Sequence, residues 1–184
     1  MATVYRPKHQ RQLVSTDPYG GKNCAAYSAA MAIDRATLGG VAVTGRQVRS
    51  ASNEPIPDPA SPGLNIPQLV NVAFGWHIAL NDRTGAPWAS VMAALREYRG
   101  VILFGDYDVF PAGVSCQAGF KGDHSVYVNH ITGDGDLFVM DPLCPAGKEV
   151  KEATMRAYAE KMGKATGHGL GVLFAVTRIT PLIG

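Results

Sequence analysis

The sequence predicts an α+β fold in which a helix near the N-terminus packs on an antiparallel sheet. Three observations carry this. A small-residue, alanine-rich helical stretch starts at residue 24, and further helical patterns follow before residue 100. Beyond residue 100 the apolar pattern contracts to strand-length runs, at 101–104, 124–131, 136–140 and 169–180. Between two of these runs stands Gly133-Asp-Gly-Asp136, a hairpin signal that pairs consecutive strands antiparallel.

Taken in order, residues 1–23 form a polar arm rich in turn residues and ending in Asp-Pro-Tyr-Gly-Gly-Lys-Asn. Residues 24–184 form one domain. Residues 24–38 read as a helix stopped by Gly39-Gly40, and its small side chains suit close packing in a central, buried position. Thr44 to Arg49 can form a short helix. Pro55, Pro57, Pro59, Pro62 and Pro67 make Ser50–Pro67 a surface loop, since proline donates no backbone hydrogen bond. Asn65 caps a helix that has Pro67 in its first turn and runs to about Phe74. Gly75–Leu80 reads as a short strand and Asn81–Ala86 as a turn. Trp88, Val91, Met92 and Leu95 give Pro87–Tyr98 helical spacing, and Gly100 ends it. Val101–Phe104 is a buried strand, 105–123 a loop, and Glu149–Met162 an amphipathic helix before the last strand.

With 184 residues, 46% hydrophobic and 17% charged, the chain can bury one sizeable core. A net charge of +2 and the lack of a basic run give no signature for nucleic acid. Three cysteines with no Cys-x-x-Cys pair imply neither a disulfide framework nor a structural zinc site. The polar, basic N-terminus is no signal peptide, and no apolar run approaches the roughly 20 residues of a membrane span. The chain is therefore expected to be made in a cytoplasm, and to leave by lysis or packaging in a particle.

The chemistry concentrates in two segments. In Gly21-Lys-Asn-Cys24-Ala-Ala, a cysteine stands where a glycine-containing loop becomes a helix. In Asp123-His124-Ser-Val-Tyr-Val a histidine opens a strand, and Asp141-Pro142 closes the next one. A thiol becomes a strong nucleophile as thiolate, which a helix N-terminus and a neighbouring imidazolium both favour. Cys24 is placed for the first and His124 for the second, while Asp141 can hold the other imidazole nitrogen. If residues 133–136 form the hairpin tip, His124 and Asp141 both fall at its far end, where a small stagger or bulge brings them side by side.

These two segments resemble the papain-like cysteine peptidases, and within them the bacteriocin-processing (double-glycine leader) peptidases and their relatives in bacteriophage lysins and tail proteins. The resemblance implies Cys24 as nucleophile, His124 as base and Asp141 as orienting residue. It also implies an oxyanion donor, commonly a glutamine upstream of the cysteine. Pro18 stands six residues before Cys24 and cannot serve, so Gln12, Gln10, Asn23 and the Cys24 backbone N–H are the candidates. Ala25 follows the cysteine where the family often has glycine.

The expected function is that of a virion-associated tail peptidase or amidase, cutting amide bonds in host peptidoglycan peptides and needing no cofactor or metal. Its partners would be other virion proteins and the peptide substrate. The alternative is a structural tail or capsid protein that keeps the fold with little or no activity; a further option is a transglutaminase-like acyl transferase, which shares the Cys-His-Asp order. Cys116 and Cys144 read as structural or redox-sensitive thiols. His130 reads as a solvated strand residue sharing a face with His124. Trp76 and Trp88 read as core.

Overall fold

The computed structural model describes residues 4–12, 20–52, 63–97, 100–167 and 170–176. Its five α-helices are α1 (Cys24–Ala36), α2 (Gly45–Ala51), α3 (Ile66–Phe74), α4 (Trp88–Arg96) and α5 (Glu152–Thr166). Six strands form one sheet: β1 (Ala79–Asp82), β2 (Val101–Asp106), β3 (Asp123–Ile131), β4 (Leu137–Met140), β5 (Lys148–Val150) and β6 (Gly171–Val176). Most of the proline-rich loop, the end of the last apolar run and residues 98–99 lie outside the described residues.

The helix boundaries follow local chemistry. Thr44 caps α2 and Asn65 caps α3, each through a capping box with the glutamine three residues on, Gln47 and Gln68. Pro67 sits in the first turn of α3, where its missing N–H costs no intrahelical bond. The first long helix stops at Ala36, because Leu38 and Gly39 take positive φ angles of 51° and 82°. From Ala25 to Asp34 every residue of α1 is buried, as its small side chains suggested.

The sheet is antiparallel throughout, in the order β1-β6-β2-β3-β4-β5. Strands β2 to β4 pair in the expected consecutive order, and β5 extends them. The last strand departs from it by inserting between β1 and β2, so consecutive pairing does not hold across the whole sheet. Two further expectations are corrected, and one strand had not been expected. The first strand runs over 79–82 rather than 75–80, since Gly75–His77 continue as a turn with His77 at φ 58°. The short strand β5 carried no periodic signal. Helix α5 starts at Glu152 rather than Glu149, because Lys148–Val150 pair with β4.

Both faces of the sheet are covered. On one side α1 and α3 pack with Ile102, Tyr127, Met140 and Leu173. On the other, α4 and α5 pack with Val101, Leu103, Val126, Val128 and Val139. Alternating residues of β2 and β3 thus feed two cores, which is why these strands read as continuous apolar runs. Close packing leaves no room for a Cβ at Gly105, where it would overlap the ring of Tyr158 on α5. The 4–12 segment ties α1 to the turn after β4. Tyr5 Oη and the Lys8 N–H donate to the carboxylate of Asp34 on α1, at 2.9 and 2.7 Å. The Gln12 N–H donates to Pro142 O, just past β4, at 2.9 Å.

Candidate active site

A bulge in β3 sets the site. Tyr127 and Val128 pair with Met140 and Val139, but His130 and Ile131 pair with Phe138 and Leu137, so Asn129 is the extra residue. The bulge is the stagger that the hairpin needed. It also breaks the alternation between His124 and His130. His130 is buried, stacks on Phe138 at 5.2 Å and meets the Asn129 amide, so it is neither solvated nor part of the site. Strand β4 ends at Met140 opposite Tyr127, so β3 runs on past it paired only with β2, and the chain turns at Asp141.

That turn brings His124 and Asp141 together. His124 Nε2 lies 2.7 Å from Asp141 Oδ1, with His124 1% and Asp141 3% exposed. The carboxylate is held from two further directions. The Leu143 N–H donates to Oδ1 at 2.8 Å and Tyr107 Oη donates to Oδ2 at 3.0 Å, while Cys144 Sγ, a disulfide sulfur with no proton to donate, lies 3.4 Å from Oδ2. Tyr107 and Phe120 present ring edges to the imidazole, with centroids 4.9 and 5.5 Å away. Tyr158 Oη donates to His124 O at 2.6 Å, fixing the backbone beneath it.

Cys24 is the first residue of α1, half-buried and free of any disulfide. It interacts with the His124 side chain, and the backbone N–H groups of Ser125 and Ala25 point at its sulfur. Since Nε2 of His124 is occupied by Asp141, Nδ1 is the nitrogen left for the thiol, and among the described residues it makes no other hydrogen bond. One turn along α1, Ser28 Oγ donates to Ser125 O and Ser125 Oγ donates to Ser28 Oγ, both at 3.2 Å. These bonds dock the cysteine-bearing helix on the histidine-bearing strand.

The electrostatics favour an ion pair. Burial pushes the Cys24 thiol up, but the His124 charge and hydrogen bond, with the two backbone N–H groups, bring it below its ordinary value. Burial pushes His124 down, yet the Cys24 charge and the bond to Asp141 carry it up to about 9. Burial likewise raises the Asp141 carboxyl, but the His124 hydrogen bond and charge, Leu143 N–H and Tyr107 hydroxyl hold it below the ordinary carboxylate value.

The oxyanion candidates separate. The Gln10 amide is spent elsewhere, donating to Val43 O at 2.7 Å and accepting from the Gly45 N–H at 2.9 Å. Gln12 is fully buried beside Pro142, and neither Nε2 nor Oε1 has a partner among the described residues. Asn23 is also fully buried, immediately before Cys24, and does not cap α1 with its side chain.

The reading of Cys116 and Cys144 as separate thiols is corrected. They form a disulfide, with Cα atoms 5.1 Å apart. The odd cysteine count concealed one pair plus one free thiol, because proximity across 28 residues is a tertiary property. Tyr107, in a loop without pattern, was also missed; no local signal marks it. Trp88 is core, with its indole N–H on Glu152 at 2.8 Å, whereas Trp76 sits half-buried at the core edge. A cavity of about 1170 Å³, lined in part by Tyr5, Arg11, Tyr27, Arg46 and Trp76, contains none of Cys24, His124 or Asp141. Among the described residues no helix is long and apolar enough to cross a membrane, and no acidic, histidine and cysteine side chains cluster to hold a metal.

This architecture is the papain-like fold of the bacteriocin-processing, or C39, peptidases. Among solved structures the chain is similar to a Bacillus anthracis protein described as a C39-like peptidase, with TM-score 0.66 and 14% identity, covering 94% of this chain and 96% of that one. It is similar to the peptidase domain of Streptococcus ComA, a bifunctional ABC transporter of a quorum-sensing pathway (TM-score 0.55, 13% identity, 94% and 99% covered). A double-glycine-motif protease from an AMS/PCAT transporter, solved with its leader peptide, also aligns (TM-score 0.53, 15% identity, 94% of both chains covered). No family model and no curated protein matches the sequence.

Proposed function

We propose that the chain is a cysteine peptidase in which Cys24 is the nucleophile, His124 the general base and acid, and Asp141 the residue that orients and charges the imidazole. One observation carries this: a free cysteine at a helix N-terminus faces a buried histidine whose far nitrogen is held by a carboxylate at 2.7 Å. The thiolate attacks the carbonyl carbon of a peptide bond, and the negative charge moves to the carbonyl oxygen. The Cys24 N–H, which has no partner within its helix, and the Gln12 amide, which has no partner among the described residues, are the donors that stabilise it. The imidazolium gives its proton to the leaving amine, leaving a thioester. Water, deprotonated by His124, then releases the acid and restores the pair.

Within this reading residues 24–184 are the peptidase domain and residues 1–23 an arm that braces it. The peptide substrate is supported by the leader peptide bound to one structural neighbour. The finer reading, that the substrate is host wall peptide and the protein travels in a phage particle after synthesis in the host cytoplasm, is supported by the likeness of the Cys24 and His124–Asp141 segments to phage lysins and tail proteins. The test is digestion of purified peptidoglycan and of double-glycine leader peptides, with Cys24→Ala as control and products read by mass spectrometry. Cys24-dependent release of stem-peptide fragments supports the wall reading, and cleavage of leader peptides alone replaces it. No cleavage of either, with particles carrying Cys24→Ala infecting normally, favours a structural protein.

A further inference from the structure

The candidate acid Asp141 is closed into a ring of bonds that the proposed chemistry does not itself require. Tyr107 Oη donates to Asp141 Oδ2 at 3.0 Å and accepts from the Cys116 N–H at 3.0 Å. That second bond occupies the oxygen's lone pair and directs its single proton at the carboxylate. Cys116 is cross-linked to Cys144. The Cys144 N–H donates to Asp141 O at 2.9 Å, and the Leu143 N–H takes Asp141 Oδ1. The Tyr107 ring lies edge-on to His124 and is packed by Phe110 and Phe120. Tyr107 on Oδ2 and the Leu143 N–H on Oδ1 thus together fix how the carboxylate faces the imidazole, and the disulfide fixes the amide that holds Tyr107.

We propose that Tyr107 is a positioning residue for the Asp141–His124 pair and that the Cys116–Cys144 cross-link holds it there, so that a thiol reductant lowers the reactivity of Cys24 in a chain that stays folded. The proposal rests on the reading of Cys24 as nucleophile. Cys116 is exposed and Cys144 fully buried, so a dithiol reductant attacks the Cys116 sulfur. The S–S bond breaks, and its electron pair leaves on Cys144, which takes a proton. The second reductant thiol then displaces Cys116, which also becomes a thiol. The protein gains two electrons and two protons, and the reductant becomes its own disulfide. The new Cys144 S–H, 3.4 Å from Asp141 Oδ2, competes with Tyr107 for that oxygen. The Cys116 end stays beside Lys148 Nζ, 2.9 Å from its sulfur, a setting that favours the thiolate and hence closure again.

The test reads the thiol and needs no substrate. Iodoacetamide alkylation of Cys24 is followed by mass spectrometry against pH in the full-length oxidised protein, in Tyr107→Phe, in Cys116→Ala/Cys144→Ala and in the triple variant, with melting curves at each pH. Tyr107→Phe and the disulfide-free variant should each slow alkylation at mildly acidic pH about tenfold, one unit of thiol titration, with folding retained. The triple variant should be no slower than either, because both changes cut the same ring. Wild-type rate and pH midpoint in Tyr107→Phe, which keeps the disulfide, overturns the proposal, and so do effects that multiply in the triple variant. A wild-type Cys24 that titrates as an ordinary thiol would instead defeat the nucleophile reading itself.

Discussion

Replacing Asp141 by asparagine isolates charge from shape. The asparagine carbonyl can take the place of Oδ1, accepting from His124 Nε2 and the Leu143 N–H, while its amide faces Tyr107. What is lost is one negative charge beside an imidazole that is itself 1% exposed. Two unit charges about 4 Å apart interact by about 4 kcal/mol at an effective dielectric constant of about 20. The retained amide dipole returns about half of this, so the net loss is about 2 kcal/mol, or about 1.5 pKa units. His124 should fall from about 9 to between about 7 and 8. The ion pair with Cys24 should weaken by about thirtyfold, and peptide hydrolysis with it. The Tyr107 proton also loses its acceptor, which costs about 1–3 kcal/mol of stability. The assays are nuclear magnetic resonance titration of the His124 ring and iodoacetamide alkylation of Cys24 against pH. An Asp141→Asn protein that is folded, whose His124 still titrates near 9 and whose Cys24 alkylates like wild type, would refute the assignment of Asp141 as a source, beside Cys24, of the imidazole charge.

The pH profile of hydrolysis should be bell-shaped: its acid limb follows Cys24, whose thiol lies below the ordinary value, and its alkaline limb follows loss of the imidazolium near pH 9. In stability terms the raised His124 contributes fully below its unfolded value near 6.5, and that contribution disappears as pH rises through about 9. The lowered Asp141 contributes above its unfolded value near 3.8 and loses this as pH falls through its lower folded value, so melting curves should show both slopes. Gln12→Ala should reduce kcat by about a hundred- to a thousandfold if Gln12 is an oxyanion donor. Its melting temperature should change little, since the lost packing is offset by removing two buried polar atoms that have no partner among the described residues; an unchanged kcat would leave the Cys24 N–H or Asn23 in that role.

The sequence by itself determined where the helices lie and which residues make up the candidate site. Capping boxes at Thr44 and Asn65, the small-residue face of α1 and the Gly133–Asp136 turn are local signals, readable over a few residues because they act through neighbours in the chain. The same locality placed Cys24 at a helix start and put His124 and Asp141 together at the open end of one hairpin. The insertion of β6 between β1 and β2, the bulge at Asn129 and the pairing of Cys116 with Cys144 were decided by tertiary structure alone. Each depends on which distant surfaces meet when the two cores close, and no short-range propensity encodes that. Tyr107 is the clearest case. Nothing around it in sequence sets it apart, and it gains its place beside Asp141 only when a loop, a strand end and a disulfide are brought together by the fold.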